Sequence, residues 1–254
     1  MTDTPPARIG AILLGYLVWM GAVDAFVRFV PVAAAVAFVI VPAIAGVRGR
    51  RNPDGDVFNA VKTWSVLAAV WLILAARLWL GPDVAWWPVL VTLIFFLNIL
   101  EAVLSDAARG VWINVASGAL LLLSIPGWSR ISLGAAPPHD LLYAIPWPWL
   151  VGYTAWNYAF LVNRRPHLAS VHGAVLLAPL LGETLWPGIW GQGRATTLAA
   201  HQLLSYGWWD RRQALNVHGH DAAKLRLGRA LLPVALVTCL WAAVASGTGL
   251  SPAW

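Results

Sequence analysis

Chemistry in this chain would be built around Glu101. It lies in an apolar run over residues 92–106, TLIFFLNILEAVLSD, three residues after Asn98 and four before Ser105. At that spacing the three side chains share one helix face. A carboxylic acid kept from water can donate a proton or a hydrogen bond, and the amides of Asn98, Asn114 or Asn157 could orient it. Asp24 and Glu183 are also sunk in apolar stretches and are the next candidates for the same role. No neighbouring cation is evident for Glu101. Glu183 and Arg194 instead flank the short segment LWPGIWGQG and could pair across it, which would make Glu183 a fastener. Glu101 has a competing structural reading too, as a polar clasp between helices.

Other polar residues fall into stripes. Tyr153, Thr154 and Asn157 share a face beside Trp156. His172 aligns with Pro179 and Glu183, and Arg194 aligns with Thr197, His201 and Ser205. Of these, Asn98, Asn114, Tyr153, Trp156, Asn157, His172 and His201 are candidate substrate contacts, together with Trp71, which lies seven residues after Trp64. Each deep tryptophan (Trp19, Trp71, Trp156, Trp241) either packs against a neighbour or forms an aromatic wall around an apolar ligand. His218, His220 and Asp221 offer three metal ligands without a fourth in a basic loop, so no metal site is expected. No Gly-rich phosphate loop, Cys-x-x-Cys pair, Asp-rich magnesium motif or serine nucleophile elbow is present, and no cofactor is expected. Lys62 and Lys224 lie at span edges, which disfavours a retinal-type Schiff base.

The elements that must position these residues are membrane helices. Of 254 residues, 59% are hydrophobic and 11% charged, against about 25% charged in a soluble domain; mean hydropathy is +0.69. The fold class is all-α, one polytopic helix bundle over residues 1–254. Windows of about 20 apolar residues give nine spans: 9–27, 29–46, 63–80, 87–105, 111–127, 141–163, 168–187, 193–209 and 230–247. The eighth is short and polar, so seven or eight spans remain open. The N-terminal stretch reads as a retained span rather than a cleaved leader, because Asp24 sits where a small-residue cleavage site belongs.

With the N-terminus in the cytoplasm, the inner loops hold Arg8, Arg48, Arg50, Arg51, Lys62, Arg109, Arg164, Arg165, Arg211, Arg212, Lys224, Arg226 and Arg229. The outer loops hold only Arg28 and Arg130. This asymmetry places the protein in the inner (plasma) membrane with a cytoplasmic N-terminus. It also explains the excess of 17 Lys+Arg over 11 Asp+Glu without a nucleic-acid partner. The single cysteine, Cys239, forms no internal disulfide.

The segments NILEAVLSD and WINVASG, with YTAWNYAFLVN, HGAVLLAPLL and RATTL, resemble stretches of an uncharacterised bacterial multi-spanning membrane family. That resemblance covers the middle half of the chain and implies a shared fold. In size, helical content, intramembrane acids and aromatic content, the chain is also similar to small integral-membrane terpene cyclases.

These observations lead to an expected function. It is an intramembrane enzyme acting on a lipid-soluble isoprenoid-type substrate by proton-initiated cyclisation. Glu101, Asp24 or Glu183 would protonate an olefin or epoxide, and aromatic faces would stabilise the carbocation. A proton-coupled transporter is the alternative, since ionisable residues in spans mark solute paths; a non-catalytic assembly subunit is the third. Oligomeric state is not legible.

Overall fold

The computed structural model of the chain describes residues 4–50, 57–80, 84, 86–135 and 139–247. A helix occupies each apolar window. In order these are α1 (Pro6–Phe29), α2 (Pro31–Gly49), α3 (Val57–Ala75), α4 (Trp86–Ala107), α5 (Trp112–Leu123), α6 (Trp147–Arg164), α7 (Ala169–Leu185) and α8 (Trp190–Gly207). The short α9 (Trp209–Gln213) precedes α10 (Asp221–Gly247). Prolines sit in the first turns of α1, α2 and α6, where a missing N–H costs nothing. A single residue, Val30, joins α1 to α2. One π-helical turn, Ala76–Leu80, extends α3 and carries Arg77 inward.

Among the described residues, six segments are long and apolar enough to cross a bilayer: Pro6–Phe29, Pro31–Gly49, Ala60–Leu80, Trp86–Ala107, Pro166–Leu185 and Asp221–Ala245. Large apolar side chains such as Leu14, Val39, Leu97, Leu104 and Val237 face outward. Arg77, His172, Glu183, Gln192, Arg194, Thr197 and His201 are buried. An apolar exterior around a polar interior is the pattern of a protein dissolved in lipid, and the chain is a transmembrane helix bundle. The helix α5 has 12 residues. At about 1.5 Å per residue it is too short to cross alone.

The sequence and the structure part in two places. The window at 141–163 begins as a strand: β1 (Ile131–Leu133) and β2 (Leu141–Tyr143) pair antiparallel, with Ile131 opposite Tyr143. Pro146 and Pro148 hold the start of α6 back to Trp147. A short apolar run serves a buried strand as well as a helix, and periodicity alone cannot separate them. Tyr143 donates to the Pro126 carbonyl, and burial pushes its phenol up to about 12, so it stays a neutral donor. The second difference concerns the deep tryptophans. Trp19, Trp71 and Trp241 are exposed on the outer surface, and only Trp156 is fully buried.

Alternating helices gather the basic residues at one end. The backbone of Thr4 bonds that of His218, and Val217 bonds His167. Arg48 reaches the Gly207 carbonyl, and Lys62 reaches Glu101. These contacts bring together the starts of α1, α3, α7 and α10 and the ends of α2, α4 and α8. The β-hairpin closes the opposite end, where Asp140 pairs with Arg28 at 2.7 Å and with Arg77 at 3.4 Å. Arg51 lies outside the described residues, as do the side chains of Trp209 and Arg212.

Candidate functional site: a cavity open at the basic end

Five helices, α3, α4, α6, α7 and α8, enclose a cavity of about 360 Å³. This is within the range of small-molecule sites. Its floor is polar and buried: Tyr153, Trp156, His172, Arg194 and His201 are each at most 6% exposed. Its mouth is at the basic end, where Lys62, Glu101, Arg164 and Arg165 line it.

The stripes read from the sequence supply much of this lining. Asn98 and Glu101 come from α4, Tyr153, Trp156 and Asn157 from α6, His172 from α7 and His201 from α8. They are wired to one another. The Asn157 Oδ1 lies 2.7 Å from His172 Nε2, and its Nδ2 donates to the Tyr153 hydroxyl at 3.4 Å. Arg194 Nε donates to the same hydroxyl at 3.1 Å. His201 Nδ1 lies 2.8 Å from the Tyr16 hydroxyl, and the His172 and His201 rings are 6.1 Å apart. Trp156 stacks on Phe160 and donates to the Asn114 carbonyl at 2.9 Å. Behind the floor, Trp149 stacks on Tyr153 with centroids 5.3 Å apart, and Trp190 meets the Tyr153 ring edge-on at 5.1 Å.

Four expected site residues lie elsewhere. Asn114 donates to Asp106 and fastens α5 to α4. Asp24 accepts from Thr196 at 3.1 Å and packs against Gly193. Trp71 donates to the Phe38 carbonyl at 2.7 Å on the lipid side. Glu183 does not pair with Arg194. Its two oxygens accept the backbone N–H groups of Gly188 and Trp190 at 2.7 and 2.8 Å and hold the tight turn into α8, where Gly188 has a positive φ of 91°. It is a fastener, as one sequence reading had it, but through backbone amides. In the basic loop, His220 meets the Thr4 carbonyl and Asp221 pairs with Lys224 at 3.1 Å.

The expectation that Glu101 lacks a neighbouring cation is corrected. Lys62 donates to Glu101 Oε2 at 2.5 Å and to Asn98 Oδ1 at 2.7 Å. The Glu101 side chain is 37% exposed, at the mouth rather than the floor. From the sequence, Lys62 is a span-edge cation unsuited to a Schiff base, and Arg164 and Arg165 serve membrane orientation alone; none of the three is read as lining a site. Arg194 was visible in its stripe with His201, but its partner was misread. Among the described residues the lining is therefore cationic: Lys62 pairs with its one acid, Glu101, leaving Arg164, Arg165 and Arg194.

Fold and cavity together define a multi-pass helical membrane protein with a polar cavity enclosed by its helices. Residues 107–240 match a family of unknown function, DUF5692; the match covers more than half of the chain, which belongs to that family. It takes in α6, α7 and α8, and so the cavity floor, while Lys62, Asn98 and Glu101 precede it. No curated protein and no solved structure matches the chain.

Proposed function

We propose that the protein is an intramembrane enzyme that carries out general acid–base chemistry on a lipid-soluble substrate held in this cavity. One observation carries the reading: the wiring of Tyr153, Asn157 and His172 on the floor. With the Asn157 Oδ1 turned to the ring, the ring proton lies on His172 Nε2 and a lone pair on Nδ1. That Nδ1 is buried in the cavity wall without a hydrogen-bond partner, so a ligand must press against the floor to reach it. The Tyr153 hydroxyl accepts from both Arg194 and Asn157, so its own proton is available to a ligand. The floor thus offers a base and an acid, with Trp156 and Phe160 as apolar wall.

This geometry favours proton transfer over the cyclisation expected from the sequence. Glu101 is an ion-paired carboxylate at the mouth, a poor proton donor to an olefin. The guanidinium of Arg194 lies 5.6 Å from the Tyr153 ring centroid, so the floor already holds a cation beside that ring, which disfavours forming a second one there. The rings of Tyr153, Trp149 and Trp190 close the cavity toward the hairpin end, which favours turnover in place over passage. On the excess of arginine at the open end, we place that end and the N-terminus in the cytoplasm and the protein in the inner membrane.

The test is a mass-spectrometric comparison of lipid extracts from cells expressing the wild type, His172→Gln, Tyr153→Phe or an empty vector. A lipid-soluble compound altered by the wild type should revert toward the empty-vector level in both variants, by about 10²-fold or more in rate. Identical wild-type and empty-vector extracts, or full conversion by the variants, would remove the reading. Flux of an unchanged solute into proteoliposomes would identify a carrier instead.

A further inference from the structure

We infer that the ligand of this cavity carries an oxyanion, a phosphate or a carboxylate, and that Arg194 binds it. The inference rests on the acid–base reading only in taking the rest of the ligand to be lipid-soluble. Arg194 is 2% exposed, in the helix most enclosed by the bundle. Its Nε donates to the Tyr153 hydroxyl, and its Nη1 is buried without a hydrogen-bond partner. Among the described residues it forms no ion pair.

The other cation buried in the bundle shows what the fold does when a charge is purely structural. Arg77 pairs with Asp140 and donates to the carbonyls of Val27, Arg28 and His139. Arg194 has no such cage. A buried charge without a counter-ion is among the costliest features a bundle can keep. A guanidinium edge that faces a cavity is, however, matched to the planar geometry of an oxyanion. The approach to it is cationic as well. Arg164 and Arg165 line the mouth, and Lys62 pairs with Glu101, the only acid lining the cavity among the described residues. An anion entering from the basic end meets attraction along the whole path, and Trp156, Phe160 and Leu198 line the space that would take an apolar tail.

Purified wild-type protein in a neutral maltoside detergent would be heated with dodecyl phosphate, dodecanoate, dodecanol or inorganic phosphate at matched concentration. Dodecyl phosphate and dodecanoate should raise the unfolding temperature by at least about 3 °C, and dodecanol should not. Arg194→Gln should bind the two anions at least about tenfold more weakly. If that variant does not fold, Arg194→Lys, which keeps the charge but loses the fork, serves in its place with a smaller loss. Stabilisation by inorganic phosphate equal to that by dodecyl phosphate would support the anion site and assign it to a soluble source, overturning the lipid-soluble substrate. Dodecanol matching dodecyl phosphate, or undiminished binding by both Arg194 variants, would overturn the anion site and leave the acid–base reading to its own test.

Discussion

Lys62 and Glu101 meet at 2.5 Å across α3 and α4, although 39 positions separate them. Lys62 was visible in the sequence at a span edge and Glu101 within an apolar run; their meeting was not. One sequence shows what a helix face carries and leaves open which face it meets. The same limit hid the bond from Asn157 to His172, although both stripes were legible. The Lys62–Glu101 pair is partly exposed, so its worth is that of a partly solvated ion pair. Lys62→Met should lower stability by about 1 kcal/mol. In the double variant Lys62→Met with Glu101→Gln, no charge is left alone, and most of that loss should return. A double-mutant cycle on thermal unfolding in detergent measures the coupling. Additive losses from the two substitutions would mean that the pair contributes nothing.

At the scale of elements, α8 explains why the least apolar window still forms a helix inside the bundle. Hydropathy marks segments that face lipid, and α8 mostly faces protein: Gly191, Gln192, Gly193, Arg194, Thr196 and Thr197 are all buried. Its neighbours, not lipid, meet Gln192, Thr196 and Thr197: Gln192 accepts from the Leu141 N–H, Thr196 donates to Asp24 and Thr197 to the Val175 carbonyl. Its small residues allow close approach. At Gly207 a Cβ would fall 2.6 Å from the Ala45 Cα, and Arg48 donates to the Gly207 carbonyl at 2.8 Å. Backbone cannot swing aside as a side chain can. Gly207→Ala should therefore push α8 from α2 and cost about 1–3 kcal/mol. Gly15→Ala in α1, with nothing within 4 Å of the added carbon, should be neutral or stabilising by up to about 1 kcal/mol. Unfolding temperatures of the two variants separate the close crossing from a general intolerance of alanine. The β-hairpin was missed for the converse reason: its apolar residues are buried against protein but have the hydropathy of a span.

Over the whole molecule, the two ends are built differently. The hairpin end spends its charges on one another, with Asp140 held between Arg28 and Arg77. The other end presents Arg8, Arg109, Arg165 and Arg211, and the cavity opens among cations there. A bundle with this polarity should insert with the cationic end in the cytoplasm, where it would receive a ligand from the inner leaflet or the cytosol. Cysteine labelling tests the orientation directly, because the only native thiol, Cys239, is fully buried. Ala108→Cys places a thiol in the exposed turn between α4 and α5, and Ser132→Cys places one on the exposed side of the hairpin. In intact spheroplasts a membrane-impermeant maleimide should label Ser132→Cys and spare Ala108→Cys; in inverted vesicles the pattern should reverse. Labelling of Ala108→Cys from the outside would turn the molecule over and give the cavity an external mouth. The arginine excess would then have to be read as part of the anion path alone, since it would no longer report topology.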